Sequence, residues 1–278
     1  MKKVLFVCDG EHFSKGVFQF ASFLNQREKI LLTGVFLPAV DYSRQSVWNY
    51  VSAYEGIVTV PELFEEDTEI INENVKKFSK LCEENHVDFH IRKEITFSTV
   101  EDLLEETRYA DLVLIGSEFF YSHLLSDKPS DQLKQVLHGT ECPALLVPEI
   151  FAPPEDIIIA YDGSSSCMAS IRQFSLLMEK ILPMPVQVIY FHENKDNRLP
   201  DEDDIREYLN CHFSKIDFKI LQSHEIVSLN TWMTQYINPI LVSGSYSRSW
   251  ISRFFKKSFI AESIRNHRYP VFIYHGLS

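Results

Sequence analysis

The sequence predicts an α/β fold of two tandem units, each a five-stranded parallel sheet flanked by helices. Three recurrences carry that expectation. The stretch Val4-Leu5-Phe6-Val7-Cys8-Asp9-Gly10 returns as Ile157-Ile158-Ile159-Ala160-Tyr161-Asp162-Gly163-Ser164, an apolar run ending in Asp-Gly. A later apolar run ends in Gly-Ser at Gly116-Ser117 and again at Gly244-Ser245. Each half then closes on a proline and an apolar strand, Pro143-Ala144-Leu145-Leu146-Val147 and Pro270-Val271-Phe272-Ile273-Tyr274. Gly116 precedes Pro143 by 27 residues and Gly244 precedes Pro270 by 26, so the spacing repeats with the motifs. An internal repeat governs the fold class before any single element does.

The elements follow in order. Residues 4–8 are continuously apolar, as a strand covered on both faces must be. Phe13, Val17, Phe20, Ala21 and Leu24 then recur at helical spacing. A second strand is expected at 30–37. A long acidic helix follows at 65–85, with Ile70, Ile71, Val75, Phe78 and Leu81 as its apolar stripe. Residues 88–95 read as a strand in which Phe89, Ile91 and Ile95 share a face. Thr99 with Glu101 and Asp102 marks a helix start, and Leu103 and Leu104 continue that helix. A strand at 112–115, a helix at 132–138 and a strand at 144–147 complete the half. The second half repeats the order, with strands near 157–161, 186–192, 216–221, 240–243 and 271–274, and helices near 167–181, 201–213, 226–237 and 258–267. Pro148, Pro153 and Pro154 break both helix and strand, placing the boundary near residue 150 and the domains at 1–150 and 151–278.

The halves differ most at 38–63, a stretch holding Tyr42, Trp48, Tyr50 and Tyr54. It reads either as a loop packing its own aromatics or as a lid or partner surface.

The chain has 278 residues, 45% hydrophobic and 24% charged, which suits two soluble domains. Met1-Lys2-Lys3 is followed by only five apolar residues before Asp9, too few for a signal peptide or a membrane span. Five cysteines with no Cys-x-x-Cys pair point to reduced thiols. A cytoplasmic location is therefore expected. Residues 1–150 hold 14 Lys+Arg against 25 Asp+Glu, a net of −11, and the remainder 13 against 14. That acidity argues against nucleic acid as a partner, and nothing in the sequence points to a membrane.

In open parallel sheets, ligands bind beyond the carboxyl ends of the strands, at the point where strand order reverses. Asp9, Asp162, Gly116 and Gly244 all stand at such ends. Glycine permits close backbone approach, and a carboxylate there can accept a hydrogen bond from an amine such as that of adenine. Asp201-Glu202-Asp203-Asp204 fits the acidic first turn of a helix better than a metal cluster. His86 and His90 straddle a helix end and a strand start and do not form a metal pair. No His-Glu-x-x-His or Gly-x-Ser-x-Gly motif occurs.

With its Asp-Gly strand, Gly-Ser strand end and final Pro-led strand in order twice, the chain resembles the tandem, two-domain form of the universal stress proteins. The resemblance covers nearly all of both halves. It implies an adenine-nucleotide α-hydrolase-like (Rossmann-like) fold and an intrachain pseudo-dimer through the last strands, 143–147 with 271–274, and it allows a homodimer of whole chains. Nucleotide-binding members carry the phosphate loop G-x2-G-x9-G-[ST]. Here Gly116 and Ser130 match its ends, but Phe119 and Pro129 replace the inner glycines. In the second half Gly244 and Ser258 match, while Ser247 and Lys257 intervene and Arg248 offers a phosphate contact. The resemblance thus implies a non-catalytic stress-response binding or regulatory module with weak or lost nucleotide binding, acting on protein partners. Its alternative is an ATP or AMP binder using the second domain alone, through Asp162, Gly244, Arg248 and Ser258, with slow ATPase activity.

Overall fold

The computed structural model describes residues 1–8, 13–37, 60–92, 100–117, 136–181, 183–192, 198–222, 232–244, 269–274 and 276. Along β1 (Lys2–Cys8) the side chains alternate between two buried layers. Val4, Phe6 and Cys8 join one hydrophobic cluster, and Leu5 and Val7 join the other. Both clusters bury these residues almost completely, so the apolar run has no polar face to show.

β1 pairs in parallel with β2 (Ile30–Phe36) and β4 (Leu112–Gly116). Outside these lie β3 (Asp88–Ile91) on β2 and β5 (Ala144–Val147) on β4. The second set repeats the plan. β6 (Asp156–Tyr161) sits between β7 (Val186–His192) and β9 (Pro239–Ser243), with β8 (Ile216–Gln222) beyond β7 and β10 (Val271–Ile273) beyond β9. Among the described residues the result is one ten-stranded sheet in the order β3-β2-β1-β4-β5-β10-β9-β6-β7-β8. Every neighbouring pair is parallel except β5 with β10, where Leu146 faces Val271, Leu145 faces Phe272 and Ala144 faces Ile273. The strand pairing expected at 143–147 and 271–274 is present, and it covers two edges that would otherwise be open.

One face carries α1 (Lys15–Arg27), α2 (Val60–Glu84), α4 (Ser165–Leu177) and α5 (Glu202–His212). The other is covered by α3 (Val100–Thr107), a helical turn at 136–139 and the turn at Met233. Each hydrophobic cluster draws residues from both sets of strands, so the core continues across the β5–β10 seam. Phe272 meets Phe174 of α4 edge-on at 5.2 Å, and Phe151 meets Phe20 and Phe23 of α1 at 5.4 and 5.9 Å.

Several boundaries differ from expectation. α2 begins at Val60, five residues before 65, so the last residues of the 38–63 insert belong to a helix, and 38–59 lie outside the described residues. Its end is sharp. His86 takes φ 54°, its N–H reaches the Glu83 carbonyl at 3.2 Å and the Val87 N–H reaches Cys82 at 2.9 Å, a left-handed cap that turns the chain into β3. β3 stops at Ile91, and Ile95 and Thr99 fall outside the described residues. The helix expected at 167–181 is two pieces, because α4 ends at Leu177 and a 3₁₀ turn occupies Glu179–Ile181. The acidic run 201–204 does open α5, with Glu202, Asp203 and Asp204 in its first turn. The helix expected at 258–267 lies outside the described residues. Among the described residues, no helix is long and apolar enough to cross a membrane.

Candidate functional site

Strand order reverses between β1 and β4, and again between β6 and β9. In-register pairing of Val7 with Ile115, and of Ala160 with Ser243, brings the carboxyl ends of each pair side by side. The fold therefore places Gly116 beside the end of β1, and Asp162 beside Gly244. Asp9, Ser130, Arg248 and Ser258 lie outside the described residues, as do Phe119, Pro129, Ser247 and Lys257.

At the second reversal, Asp162 leads into a tight turn. Its Oδ1 accepts the backbone N–H of Ser164 at 2.9 Å and the Ser164 hydroxyl at 2.6 Å. Gly163 makes the turn possible at φ +74°, where a side chain would also press on Pro200 at 3.0 Å. Ser164 is the N-cap of α4, its Oγ accepting the Cys167 N–H at 3.1 Å and lying 3.1 Å from Ser166 Oγ. Gly244 is buried against this same turn, and a Cβ on it would meet the Cys167 nitrogen at 2.8 Å. The glycine here is needed for strand-to-helix packing whether or not a ligand is present.

The first reversal is built alike. Ser14 caps α1, its Oγ accepting the Val17 N–H at 3.3 Å, and a Cβ on Gly116 would meet Ser14 Cβ at 3.1 Å. One feature has no counterpart among the described residues of the other half. Glu149, just past β5, accepts the Ser14 hydroxyl through Oε2 at 2.8 Å and the Lys15 N–H through Oε1 at 3.2 Å. A carboxylate thus sits on the positive end of α1. The sequence hid this contact because its partners are 135 and 134 residues apart. The Ser164 cap was legible in principle, since Asp-x-Ser before an apolar periodic run is a local signal.

Among the described residues, the groups around the second turn are acidic. Burial, reinforced by the charge of Asp162, pushes the Cys167 thiol up to about 12. Burial, with Asp201 next, pushes Tyr161 up to about 12, its hydroxyl donating to the Pro200 carbonyl at 3.1 Å. Tyr190 is also raised, by burial and then by Asp162. Cys167 therefore remains a protonated thiol, donating to the Ala160 carbonyl at 3.3 Å, rather than a nucleophile. Ser164 is paired with a carboxylate, and among the described residues no histidine or lysine pairs with its hydroxyl to act as a base. Among the described residues no group of three metal-ligating side chains forms.

No protein-family model matches the chain, and no curated protein does. Solved structures do. A universal stress protein from Archaeoglobus fulgidus DSM 4304 superposes with TM-score 0.65 over 98% of this chain and 96% of its own, at 14% identity. A putative universal stress protein from Pseudomonas aeruginosa UCBPP-PA14 gives 0.55 over 99% and 93%, at 12% identity. A functionally unknown protein from Pseudomonas aeruginosa PAO1 gives 0.54 with the same coverage and identity. The chain has the fold of the universal stress proteins over nearly its whole length.

Proposed function

We propose that the chain is a non-catalytic binding or regulatory module of the stress-response type, built from two copies of one unit at 1–150 and 151–278, with weak or lost nucleotide binding. One observation carries this reading. The described motif residues are already committed to the protein's own structure. Asp162 Oδ1 takes two donors of its own turn, and Gly116 and Gly244 are filled against helix starts. The Asp-Gly and Gly-Ser motifs can therefore persist for packing after a ligand has gone. The acidic surroundings of Tyr161, to which Asp201, Asp162 and Asp204 all contribute, further oppose a polyphosphate. The module works through protein partners in a cytoplasmic setting. The test is calorimetry with ATP, ADP and AMP, with and without magnesium, alongside thermal melting. Small shifts are expected. A stabilisation of ~2.7 kcal/mol, as a hundredfold excess over a dissociation constant gives, would overturn the reading.

A second reading is favoured by one asymmetry. Glu149 follows Pro143 by six residues, and Gly276 follows Pro270 by six. Where α1 meets a carboxylate, α4 has beside it a glycine whose added Cβ would lie 3.5 Å from Ala169. The second unit alone would then hold ATP or AMP, with Asp162 on adenine and Gly244, Arg248 and Ser258 at the phosphates, and with slow hydrolysis at most. Asp162→Ala should then abolish binding and Asp9→Ala should leave it. Equal losses from both would count against it.

A further inference from the structure

The closure of α1 by Glu149 is built from more than one contact. Gly16, in the first turn of α1, lets the chain after β5 approach so closely that a Cβ there would lie 1.9 Å from the Pro148 carbonyl oxygen and 2.8 Å from that of Glu149. Phe151 anchors the far side of the same segment on Phe20 and Phe23. Between these anchors, Glu149 places one oxygen on the Ser14 hydroxyl and the other on the Lys15 N–H. Ser14 serves both ways, its oxygen taking the Val17 N–H while its proton goes to Glu149. The unpaired N–H groups and positive end of α1 thus hold a bound anion, and that anion belongs to the chain. In the second half, the corresponding serine, Ser164, gives its proton to Asp162 of its own turn, and the residue in the place of Glu149 is Gly276.

We propose that Glu149 is an internal plug, an autoinhibitory contact by which the segment joining the two halves keeps small oxyanions, carboxylate or phosphate, off the first unit. Any displacement of residues 148–151 from α1 would expose the seat. The seat suits a small oxyanion because two donors, one hydroxyl and one amide, converge on two oxygens of a single group. This inference does not depend on nucleotide binding by the second unit.

Chemical rescue tests it. Glu149→Gly, which copies the second half, is melted in sodium acetate and in sodium chloride of equal ionic strength, beside the parent protein. The parent should melt alike in both salts. The variant should melt lower in chloride and recover at least half of the loss in acetate, with saturation, and inorganic phosphate at the same ionic strength should give a saturable recovery of its own. A variant that responds to acetate as it does to chloride overturns the proposal. Should that variant not fold, Glu149→Met serves with amide exchange at Lys15 as the readout. The thioether side chain has about the same length and no oxygen acceptor, so the contacts to the Ser14 hydroxyl and the Lys15 N–H are both lost. Exchange about tenfold faster at Lys15 is expected, and an unchanged rate overturns the plug.

Discussion

Gly244, at the end of β9, lies against Cys167 in the first turn of α4 so closely that a Cβ on it would stand 2.8 Å from the Cys167 nitrogen and 2.9 Å from its Cα. Both are backbone atoms, held by the Ser164 cap, and cannot rotate away. Gly244→Ala should therefore cost about 1–3 kcal/mol, the usual range for overpacking. Gly116→Ala is the internal control, since its nearest neighbours, the Cβ and Oγ of Ser14, stand farther off at 3.1 and 3.3 Å and need give by only a few tenths of an ångström. Urea unfolding of the two variants should show the larger loss at Gly244. Equal losses would mean that the α4 turn yields as readily as the serine.

Alkaline stability has a defined sign. Cys82, Cys142 and Cys167 are pushed from an ordinary 9.0 up to about 12, each chiefly by burial. Tyr161 and Tyr236 are pushed from 10.0 up to about 12, again chiefly by burial. For all five groups the folded state holds its proton longer than the unfolded state. Their contribution is complete below the ordinary values and declines as pH rises from about 9 toward 12. Unfolding free energy should therefore fall along that limb. At pH 8 only the exposed Cys211 should react with a thiol reagent in the native protein, against all five cysteines once unfolded. Early labelling of Cys167 would show that its turn opens.

The strands were the most legible part of this chain. Continuous apolar runs such as 157–161 can be satisfied only by burial on both faces, and the repeat fixed their order. Helix ends were less legible, because they depend on single backbone events. The left-handed turn at His86 follows no glycine signal, and α4 stops at Leu177 although apolar residues continue to Ile181. The candidate site was legible in its motif residues but not in their use. Asp162 reads as a ligand-facing carboxylate, yet its Oδ1 is spent on Ser164, a partner two residues away. Glu149 reads as one charge in a proline-rich connector, because its partners are distant in sequence.

The ion pair of Lys2 with Glu28, 2.5 Å between Nζ and Oε2, ties the start of β1 to the end of α1. The hydrogen bond from Lys2 holds the Glu28 carboxyl below its ordinary 4.5, against a smaller opposing effect of burial. A lowered carboxylate stabilises the fold above its unfolded value and loses that contribution as pH falls through the folded one. Glu28→Gln should thus be less stable than the parent at neutral pH, by less than about 1 kcal/mol because the pair is partly exposed. The two should converge as the pH falls below 4.5. A gap that persists in acid would assign the loss to packing instead.

Phe272 tests whether the seam joins the two halves energetically. It is fully buried, faces Leu145 across the antiparallel β5–β10 pair, and meets the Phe174 ring at 5.2 Å with an interplanar angle of 75°. The hydrophobic clusters on both sheet faces run through this position's neighbours from one set of strands to the other. Truncation to alanine removes a large, fully buried side chain, and should cost about 3–5 kcal/mol. Because the core is shared, the parent should melt in one calorimetric transition, and Phe272→Ala should lower that whole transition rather than split it. Two transitions in the parent, with only the later half of the chain responding to the substitution, would show that the halves are separate folding units that merely share a sheet.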